Sequence, residues 1–399
     1  MAKLSSINGK KANVPKLRFP EFTEEWEANN IGEISTYIKG APLSKSDISE
    51  TGTPFILYGE LYTTYKEVTT EIKRKTNCIV DKKYFSKIGD VVIPTSGETP
   101  EEIATATCVM TPNVILAGDL NIFRINDIDG RFFSYVINHK VNKDISRIAQ
   151  GKSIVHIKGE EISKIQIKYP SAEEQQKILS FIELLSLKIE KQERLIEKLK
   201  KYKRGALSAL FPKKGEITPQ YRFVGFTKPW EQRKAKDLCS ISTGKSNTQD
   251  RIADGIYPFY IRSPIVEHSN RYLFDEEAVL TVGDGVGTGK VFHYVNGKYD
   301  LHQRVYRMFD FSEEIKAKYF YYYFSNHFYD RVMAMTAKTS VDSVRYEMIA
   351  DMDIALPKIQ EQIAISDYFD QLDNLITLHQ HKYDTLLSLK NALLQQMFI

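Results

Sequence analysis

The glycine-rich stretch from Val282 to Lys290, VGDGVGTGK, comes closest to a known chemical motif. A loop that cradles nucleotide phosphates has the spacing GxxxxGK followed by Ser or Thr, which supplies backbone N–H groups for the phosphates and a hydroxyl for Mg2+. Here Asp284 occupies the position of the first glycine, and Val291 follows the lysine. The stretch therefore predicts a tight loop at the end of a strand, from which Lys290 could still contact a phosphate.

Residues that could carry catalysis are few. His139 and His327 each end an aromatic helical stretch, and neither has a pair of carboxylates nearby in sequence for acid–base work. The methyltransferase-type Asn-Pro-Pro-aromatic motif is absent, and no nuclease set of acidic residues and lysine is recognisable. Cys78, Cys108 and Cys239 lie far apart without CxxC spacing, so neither a zinc site nor a disulfide framework is indicated. We expect no catalytic residue and no metal ligand.

Composition sets the broad class of the protein. The chain has 399 residues and 42% hydrophobic content, which suits two or three globular domains. A net charge of +4 permits an acidic polymer as a partner without requiring one. No run approaches the roughly 18 apolar residues of a membrane span, and residues 1–14 are polar. We therefore expect a soluble cytoplasmic protein with a short flexible leader and no membrane partner.

The remaining residues are organised by a long amphipathic sequence that occurs twice. The run Ala172–Phe211 returns as Ile359–Phe398, in register with an offset of 187 residues. Its inward positions advance by four and three residues in turn, which predicts a heptad seam on a helix about 60 Å long. The apolar seam positions are Ile178, Ile182, Leu185, Ile189, Ile196, Leu199, Ile365, Phe369, Leu372, Ile376, Tyr383 and Leu386.

Two polar residues interrupt each seam at the same places. Gln192 corresponds to His379, and Lys203 corresponds to Lys390. A polar pair in a seam fixes the register of two helices, which is the interpretation we prefer for Gln192 and His379. The basic cluster at residues 198–204 could bind phosphate, but it also complements the dipole at the C-terminal end of a helix.

A second repeated motif opens each globular region. The pattern PxxRFxxFTxxWE begins at residue 15 and again at residue 219, with an offset of 204 residues. The match continues, since Gly40 corresponds to Gly244. Trp26 and Trp230 occupy identical places in the motif, which favours packing over stacking on bases.

The globular regions predict α+β domains. Runs rich in Val, Ile, Tyr and Phe and bounded by Gly, Asp or Asn are typical of strands. Matched aromatic helices are expected from Phe132 to His139 and from Tyr319 to His327. The predicted strands are 53–58, 91–94, 122–125 and 165–169 in the first region, and 257–261, 278–282, 305–308 and 352–356 in the second.

The repeat also predicts a topology. A domain of this size has a radius of gyration near 14 Å, so its chain ends cannot lie 60 Å apart. The second helix should therefore return along the first, as an antiparallel coiled coil with pseudo-twofold symmetry and one globular domain at each end. Two similar domains at a set separation suit a bipartite target. The predicted boundaries are a leader at 1–14, domains at 15–170 and 213–357, and helices at 171–212 and 358–399.

Three features together resemble the specificity subunit of a type I restriction-modification system. They are the PxxRFxxFTxxWE opening, the Gly-Asp strand starts at 89–90 and 283–284, and the Glu-Gln-x-x-Ile sequence at the start of each long helix. The resemblance implies two target recognition domains that each bind half of a split site in double-stranded DNA, while the helices set the gap. It also implies that the chain is not catalytic and binds no cofactor.

The same resemblance implies partner subunits. Two methyltransferase subunits would dock on the chain and methylate adenine N6 with S-adenosylmethionine. Restriction subunits would add ATP-driven translocation and cleavage, with Mg2+. The alternative is a scaffold in which two adaptor domains on a coiled-coil spacer bind proteins and no DNA; no residue pattern positively favours it.

Candidate DNA contacts follow from chemistry and position. Base edges in the major groove are read by Arg, Lys, Asn, Gln, Ser and Thr on loops, and phosphate contacts set the register. Ser153 and Ser340 occupy the same place before the last strand of each domain, which raises their rank. The candidates in the first domain are Lys39, Tyr58, Lys73, Arg74, Thr95, Ser96, Lys152 and Ser153. Those in the second are Lys245, Arg262, Ser263, Arg271, Lys290, Arg304, Lys338, Thr339 and Ser340.

Overall fold

The architecture comes from a computed structural model of the chain, which describes residues 5–6, 13–151, 154–213, 215–285, 287–335 and 343–399. The chain divides into two units. Unit 1 comprises residues 1–191 and 382–399, and unit 2 comprises residues 192–381. Each unit therefore contains one globular region, part of the first long helix and part of the second.

The first part of the chain, through the first long helix, contains fourteen short strands and seven helices among its described residues. The strands are β1 Ser5–Ser6, β2 Leu17–Arg18, β3 Glu27–Asn30, β4 Ser35–Lys39, β5 Thr53–Leu57, β6 Val68–Thr69, β7 Arg74–Thr76, β8 Asp90–Pro94, β9 Ser96–Gly97, β10 Thr107–Val109, β11 Ile115–Ala117, β12 Leu120–Ile125, β13 Val155–His156 and β14 Gln166–Tyr169. The helices are α1 Ile31–Ile34, α2 Glu60–Thr63, α3 Pro100–Ile103, α4 Gly130–Val136, α5 Asn142–Ile148, α6 Gly159–Ser163 and the long α7 Ala172–Leu210. Short 3-10 turns lie at Lys45–Asp47 and Lys82–Tyr84, and a π-helical turn, Ile137–Val141, joins α4 to α5.

The second part of the chain uses fewer and longer strands. The strands are β15 Glu231–Lys234, β16 Ser240–Thr243, β17 Tyr257–Tyr260, β18 Val266–Ser269, β19 Phe274–Val282, β20 Phe292–Leu301, β21 Val305–Phe309 and β22 Asp353–Leu356. The helices are α8 Ala235–Leu238, α9 Ala317–Met335, α10 Tyr346–Ala350 and the long α11 Ile359–Met397, with a 3-10 turn at Thr248–Asp250.

The sheets of the two units share a strand order, with β16-β21-β19-β20 matching β4-β12-β8-β10 and β20-β17-β18 matching β11-β5-β7, but they are divided differently. Unit 1 contains a five-stranded sheet in the order β4-β12-β8-β10-β6 and a three-stranded sheet in the order β11-β5-β7. Unit 2 contains a single six-stranded sheet in the order β16-β21-β19-β20-β17-β18. Helix and sheet occur together in both units, so the α+β prediction is confirmed.

One small sheet is common to both units and ties the ends of each globular region together. In unit 1, β3 begins at the glutamate of the repeated Trp-Glu pair and is antiparallel to β14, which leads into α7. In unit 2, β15 pairs in the same way with β22, which leads into α11. Each globular region therefore starts and finishes beside the root of a long helix, as the topology argument requires.

The heptad seam predicted for the long helices is buried or half-buried throughout. In unit 1, Ile178 and Ile182 join the main apolar core with Met397 and Phe398 from the end of α11. In unit 2, Phe369 stacks on Phe211, with ring centroids 5.9 Å apart. Within each unit, the start of one long helix thus packs beside the end of the other, as antiparallel pairing predicts. Four seam residues, Leu199, Ile376, Tyr383 and Leu386, are only half-buried.

All eight predicted strands and both aromatic helices are present, with shifts at their ends. The aromatic helix expected at 132–139 is α4 continued by the π-helical turn, and the one expected at 319–327 is the longer α9. The Gly-Asp pairs, however, are not equivalent. Asp90 begins β8, whereas Gly283 and Asp284 follow the end of β19, so the second pair lies in a loop.

Candidate nucleic-acid interface

An ion pair, buried in unit 1 and partly buried in unit 2, fixes the root of each long helix. In unit 1, Arg18 of the opening motif donates two hydrogen bonds, both 2.7 Å long, to the carboxylate of Glu174 in the first turn of α7. In unit 2, Arg222 donates two, of 2.8 and 2.6 Å, to Glu361 in the first turn of α11. Bidentate pairs of this kind set orientation as well as contributing energy. The repeated Arg and Glu therefore form a clamp between each globular region and its helix.

The glutamine that follows each clamp glutamate ties in a third segment. The Gln175 side chain donates to the carbonyl of Pro170 and accepts from the backbone N–H of Asp129, at 2.8 and 2.9 Å. Gln362 makes the matching bonds, donating to the Pro357 carbonyl and accepting from the Lys316 N–H, both at 2.9 Å. Since Asp129 and Lys316 flank the aromatic helices, each helix root is fixed to the body of its own unit.

The repeated tryptophans are part of this frame. Trp26 and Trp230 are buried, which confirms that they pack inside their units. The indole N–H of Trp230 donates to Glu361 at 3.2 Å, whereas that of Trp26 has no hydrogen-bond partner among the described residues.

The repeated glycines lie where the backbone comes closest to another strand. A Cβ placed on Gly40 would lie 2.7 Å from the carbonyl oxygen of Gly118. One placed on Gly244 would lie 2.1 Å from the carbonyl oxygen of Leu301. Both loops therefore need glycine, and each brings the lysine beside it, Lys39 or Lys245, to an exposed position on its unit.

In unit 1, two predicted contacts line one open cleft. Lys39 and Thr95 face a cleft of about 670 Å3 whose walls also include Asp119, His156 and Lys158. The cleft mixes basic, acidic and neutral groups. Ser96 lies next to it in sequence but is buried, and its hydroxyl donates to Asp119 at 2.8 Å. The hydroxyl of Ser96 is thus already engaged inside unit 1.

The other candidates of unit 1 lie away from the cleft. Arg74 donates to Glu60 at 2.6 Å, although its side chain remains 43% exposed. Lys73 is exposed, and its backbone N–H donates to the hydroxyl of Tyr65 at 3.1 Å. Tyr58 is half-buried against an apolar cluster. The described part of unit 1 therefore brings Lys39 and Thr95 together and leaves these three apart.

In unit 2, arginines from separate loops meet one carboxylate. Arg262 follows β17 and donates to one oxygen of Asp284 at 3.3 Å. Arg304 precedes β21, and its Nε lies 3.8 Å from the other oxygen. Ser263 is adjacent, and its hydroxyl accepts from the N–H of Ile265 at 2.9 Å. This group, with Asp284 at its centre, is the strongest concentration of predicted contacts in unit 2.

The glycine-rich stretch is the loop between β19 and β20, as predicted from its failure to match a phosphate loop. Lys290 is exposed at its end, with Nζ 4.7 Å from the centroid of the Tyr329 ring. This cation–π contact leaves the ammonium group at the surface, where it can meet a phosphate.

Arg271 has a different role from the other arginines of unit 2. It donates to Ser246 at 3.0 Å and to Asp250 at 2.9 Å, and its Nε lies 3.5 Å from Asp300. Asp300 is fully buried and also accepts from the hydroxyl of Ser246 at 2.5 Å. Because a buried carboxylate is costly without a counter-charge, Arg271 stabilises the fold of the unit.

Five predicted contacts lie outside the residues that the structure describes: Lys152, Ser153, Lys338, Thr339 and Ser340.

Two residues beside the arginines could not be singled out from the sequence. Asp284 stood out only in a Gly-Asp pair and as the residue that breaks the phosphate-loop pattern, and His302 gave no signal. The Nδ1 atom of His302 accepts the backbone N–H of Arg304 at 3.0 Å. Burial, with the charges of Arg262 and Arg304, lowers the pKa of His302 despite the opposing charges of Asp284 and Asp250. Its ring is therefore neutral at neutral pH, which this hydrogen bond requires.

A polar cluster in unit 1 joins His139 and Lys390 to Glu67, which gave no sequence signal. The ring Nε2 of His139 lies 2.9 Å from the carboxylate of Glu67. Burial opposes ionisation of Glu67, but the hydrogen bond with His139 and the charge of Lys390 outweigh it and lower its pKa to about 2. Lys390 is the seam lysine near the end of α11, so this cluster helps to hold that end of the helix in unit 1.

Other kinds of chemistry have little support in the described residues. Among them, no group of three or more His, Cys, Asp and Glu side chains is placed to hold a metal ion. No described helix is both long and apolar enough to cross a membrane. Burial raises the pKa of Cys108 and Cys239 to about 12, so neither is a reactive thiolate at neutral pH.

Comparisons with known proteins agree with this geometry. The family described as the type I restriction modification DNA specificity domain matches the chain twice, at residues 23–201 and 227–388. The type I restriction enzyme MjaVIII specificity subunit of Methanocaldococcus jannaschii is 24% identical over 96% of this chain and 95% of its own length. The EcoDI specificity subunit of Escherichia coli is 28% identical over 36% of this chain and 31% of its own length.

Solved structures share the fold. The type I restriction-modification S subunit from M. genitalium superposes with a TM-score of 0.65, at 14% identity, over 97% of this chain and 99% of that one. A chain from a type I system studied for complex assembly and conformational transition gives a TM-score of 0.56, at 16% identity, over 94% and 97%. The two matched domains cover most of the sequence, and the chain therefore belongs to the family of type I restriction-modification DNA specificity subunits.

Proposed function

We propose that this chain is the DNA-reading subunit of a type I restriction-modification complex and that each globular region recognises one half of a bipartite, asymmetric site. One observation carries the proposal: the two matched domains share their helix clamps but differ in the side chains they expose. Two domains that exposed the same side chains would recognise the same half-site sequence. A carboxylate-centred pair of arginines in unit 2 and a mixed cleft in unit 1 suit two different half-sites.

Chemistry would come from other subunits. The chain would dock two methyltransferase subunits, which use S-adenosylmethionine, and restriction subunits, which use ATP and Mg2+. Exposed apolar side chains on the long helices support such docking. Leu184 and Leu389 are exposed on the helices of unit 1, and Tyr202 and Leu378 on those of unit 2. Apolar side chains that lie together on a helix surface mark partner sites, and these residues supply apolar area for such contacts.

A domain exchange tests the proposal directly. Residues 15–170 are replaced by the first domain of another family member, and the complex is expressed with its methyltransferase subunits in a host lacking adenine methylation. Mapping of methylated adenines should show that one half of the recognised sequence changes while the other half and the gap stay fixed. A map in which both halves change would contradict one reader per half.

A second experiment concerns the gap. Inserting one heptad into each long helix should lengthen the gap between half-sites and leave both half-sites intact, because the helices would separate the readers. Methylation mapping again supplies the measurement. An unchanged gap would show that the helices do not set it.

Binding measurements address affinity. The chain alone should bind duplex DNA weakly and with strong salt dependence, because phosphate contacts release counterions. Addition of the methyltransferase subunits should make binding sequence-specific. If the assembled complex binds a random duplex as tightly as its best site, the proposed function is wrong.

A further inference from the structure

Arg262, Asp284 and Arg304, which we term the arginine fork, lie on three separate loops of unit 2. Arg262 follows β17, Asp284 follows β19, and Arg304 lies between β20 and β21. The two guanidinium groups contact different oxygens of the carboxylate, at 3.3 and 3.8 Å. The single negative charge between them relieves the repulsion that two adjacent cations would otherwise feel, and it fixes their separation.

Backbone hydrogen bonds hold the loops that carry Asp284 and Arg304 in place. The N–H of Gly283 donates to the carbonyl of Arg304 at 2.8 Å, and the N–H of Val344 donates to the carbonyl of Gly283 at 2.7 Å. The N–H of Arg304 donates to His302 at 3.0 Å. A recognition group held in this way loses less conformational freedom on binding.

Most donors of the fork remain at the surface. The side chains of Arg262 and Arg304 are 46% and 66% exposed, and each makes one ion pair with Asp284. Arg271 and Arg307 of the same unit differ. Arg271 is itself 56% exposed, but its guanidinium engages three partners within the unit. Arg307 is ion-paired with Glu276 and lies over the rings of Phe274 and Phe309.

The central carboxylate argues against a phosphate as the target of the fork. A phosphate oxygen near Asp284 would meet a like charge, which costs energy in a partly buried site. The edge of a G·C pair has no such conflict, because guanine offers O6 and N7 to arginine and cytosine offers an N4 amino group to a carboxylate.

We propose that Arg262 and Arg304 read guanines through the major groove in the half-site of unit 2, and that Asp284 is the positioning residue that sets their separation. The inference rests on the proposed function, since it names the bases that this unit recognises. It requires G·C pairs at two positions in that half-site and assigns the contact to base edges rather than to the DNA backbone.

Conservative substitutions separate base reading from phosphate binding. Arg262→Lys and Arg304→Lys keep the positive charge for a phosphate but lose the two-pronged contact with guanine. In the complete methyltransferase complex, each should lower methylation at the wild-type sequence at least about fivefold and relax the G·C preference at one position of a single half-site. Asp284→Asn should relax the same positions while the sequence recognised in the other half-site stays unchanged.

Arg251→Lys is the matched control. Arg251 is also an exposed arginine of unit 2 paired with one carboxylate, that of Glu267 at 3.4 Å, but it lies outside the fork. Its substitution should leave the methylated sequence unchanged. If the fork lysine variants lower methylation evenly at all sites without changing the sequence, the contacts are with phosphate and the inference is overturned.

A chemical probe tests the inference with the unaltered protein. 7-Deazaguanine pairs normally but lacks the N7 acceptor, so placing it in the half-site of unit 2 should weaken binding of the complex several-fold. The loss should be smaller for the lysine variants. No loss, or a half-site without G·C pairs, overturns the inference alone. Failure of the wild-type complex to methylate any defined sequence would instead overturn the proposed function.

Discussion

In unit 1, Arg18 donates two hydrogen bonds of 2.7 Å to Glu174; in unit 2, Arg222 donates two of 2.8 and 2.6 Å to Glu361. Each clamp is followed by a glutamine that binds the segment beside the aromatic helix. The likeness extends into the sheets. The order β16-β21-β19-β20 in unit 2 repeats β4-β12-β8-β10 in unit 1, and β20-β17-β18 repeats β11-β5-β7, although unit 1 divides these strands between two sheets.

The candidate interfaces, by contrast, differ between the units. Unit 1 offers Lys39 and Thr95 at the rim of a mixed cleft, whereas unit 2 offers Arg262 and Arg304 around Asp284. Residues that hold the helices are thus repeated, and residues placed to meet a target are not. This difference explains how one duplicated chain can carry two unlike recognition surfaces on domains that are clamped to their helices in the same way.

Substitutions in the two clamps should have the largest effects on the stability of the units. Arg18→Ala should cost about 3–5 kcal/mol in the free energy of unfolding of unit 1, because it leaves the carboxylate of Glu174 buried and unpaired. Arg222→Ala should cost unit 2 less, about 1–3 kcal/mol, because Arg222 is more exposed and Glu361 keeps its bond with Trp230. Denaturant unfolding, resolved by hydrogen exchange in each unit, measures both.

A double substitution supplies the control for the clamp. Replacing Arg18 and Glu174 together by Met and Leu removes both charges and should recover much of the lost stability. If the double variant is as unstable as Arg18→Ala, the loss comes from packing and not from an unpaired charge.

The paired glycines predict the next largest effect. In Gly244→Ala the new Cβ would lie 2.1 Å from the carbonyl oxygen of Leu301, so the backbone must move. This movement should lower the free energy of unfolding by about 3 kcal/mol. In Gly40→Ala the nearest atom, the carbonyl oxygen of Gly118, lies at 2.7 Å, and the cost should be nearer 1 kcal/mol. Thermal unfolding of the two variants checks the order. Equal effects would mean that both loops relax alike.

Periodicity makes much of the frame predictable. A heptad seam is a local pattern, so the sequence alone assigns Ile178 and Phe369 to the buried faces of their helices, where both lie. The repeat also predicts the role of the tryptophans, because identical placement of Trp26 and Trp230 indicates packing. The clamp itself is not predictable in this way. Its partners are 156 residues apart in unit 1, and no local pattern links an arginine to a glutamate at that distance.

The interface is less predictable for the same physical reason. Arg262 and Arg304 can be chosen as exposed basic loop residues, but their shared carboxylate depends on how three loops meet. The Gly-Asp pattern predicts a strand start at Asp284, whereas this residue lies in a loop. Ser96 is a candidate by residue type, yet burial and its bond to Asp119 occupy its hydroxyl.

The seam lysines give a third comparison of the units. Glu67→Gln should destabilise the end of α11 in unit 1 by on the order of 2 kcal/mol, since His139 and half-buried Lys390 lose a negative partner. Asp373→Asn removes the partner of Lys203 in unit 2, 2.5 Å away, but Asp373 is 38% exposed, so water compensates and the cost should stay below about 1 kcal/mol. Hydrogen exchange in residues 382–399 and 359–381 reports each effect.

Glu67 also predicts that the stability of unit 1 depends on pH in the acid range. The pKa of Glu67 falls from 4.5 to about 2 in the folded protein, so its contribution is complete above about pH 4.5 and is lost as the pH falls towards 2. Glu67→Gln should abolish this part of the acid sensitivity of unit 1. An unaltered acid profile would place the sensitivity in other groups.

The smallest predicted effect separates unit 2 from unit 1 near neutral pH. The pKa of His302 is lowered by burial and by Arg262 and Arg304, so the unfolded chain takes up a proton first as the pH falls. The stabilisation from neutral His302 is therefore complete above about pH 6.5 and declines as the pH falls below that value. His302→Asn keeps an acceptor for the N–H of Arg304 without a titrating group. It should flatten the decline in the stability of unit 2 below about pH 6.5 in hydrogen exchange, while unit 1 stays unchanged. A variant with the same slope as the wild type would show that His302 does not couple acid to the arginine fork.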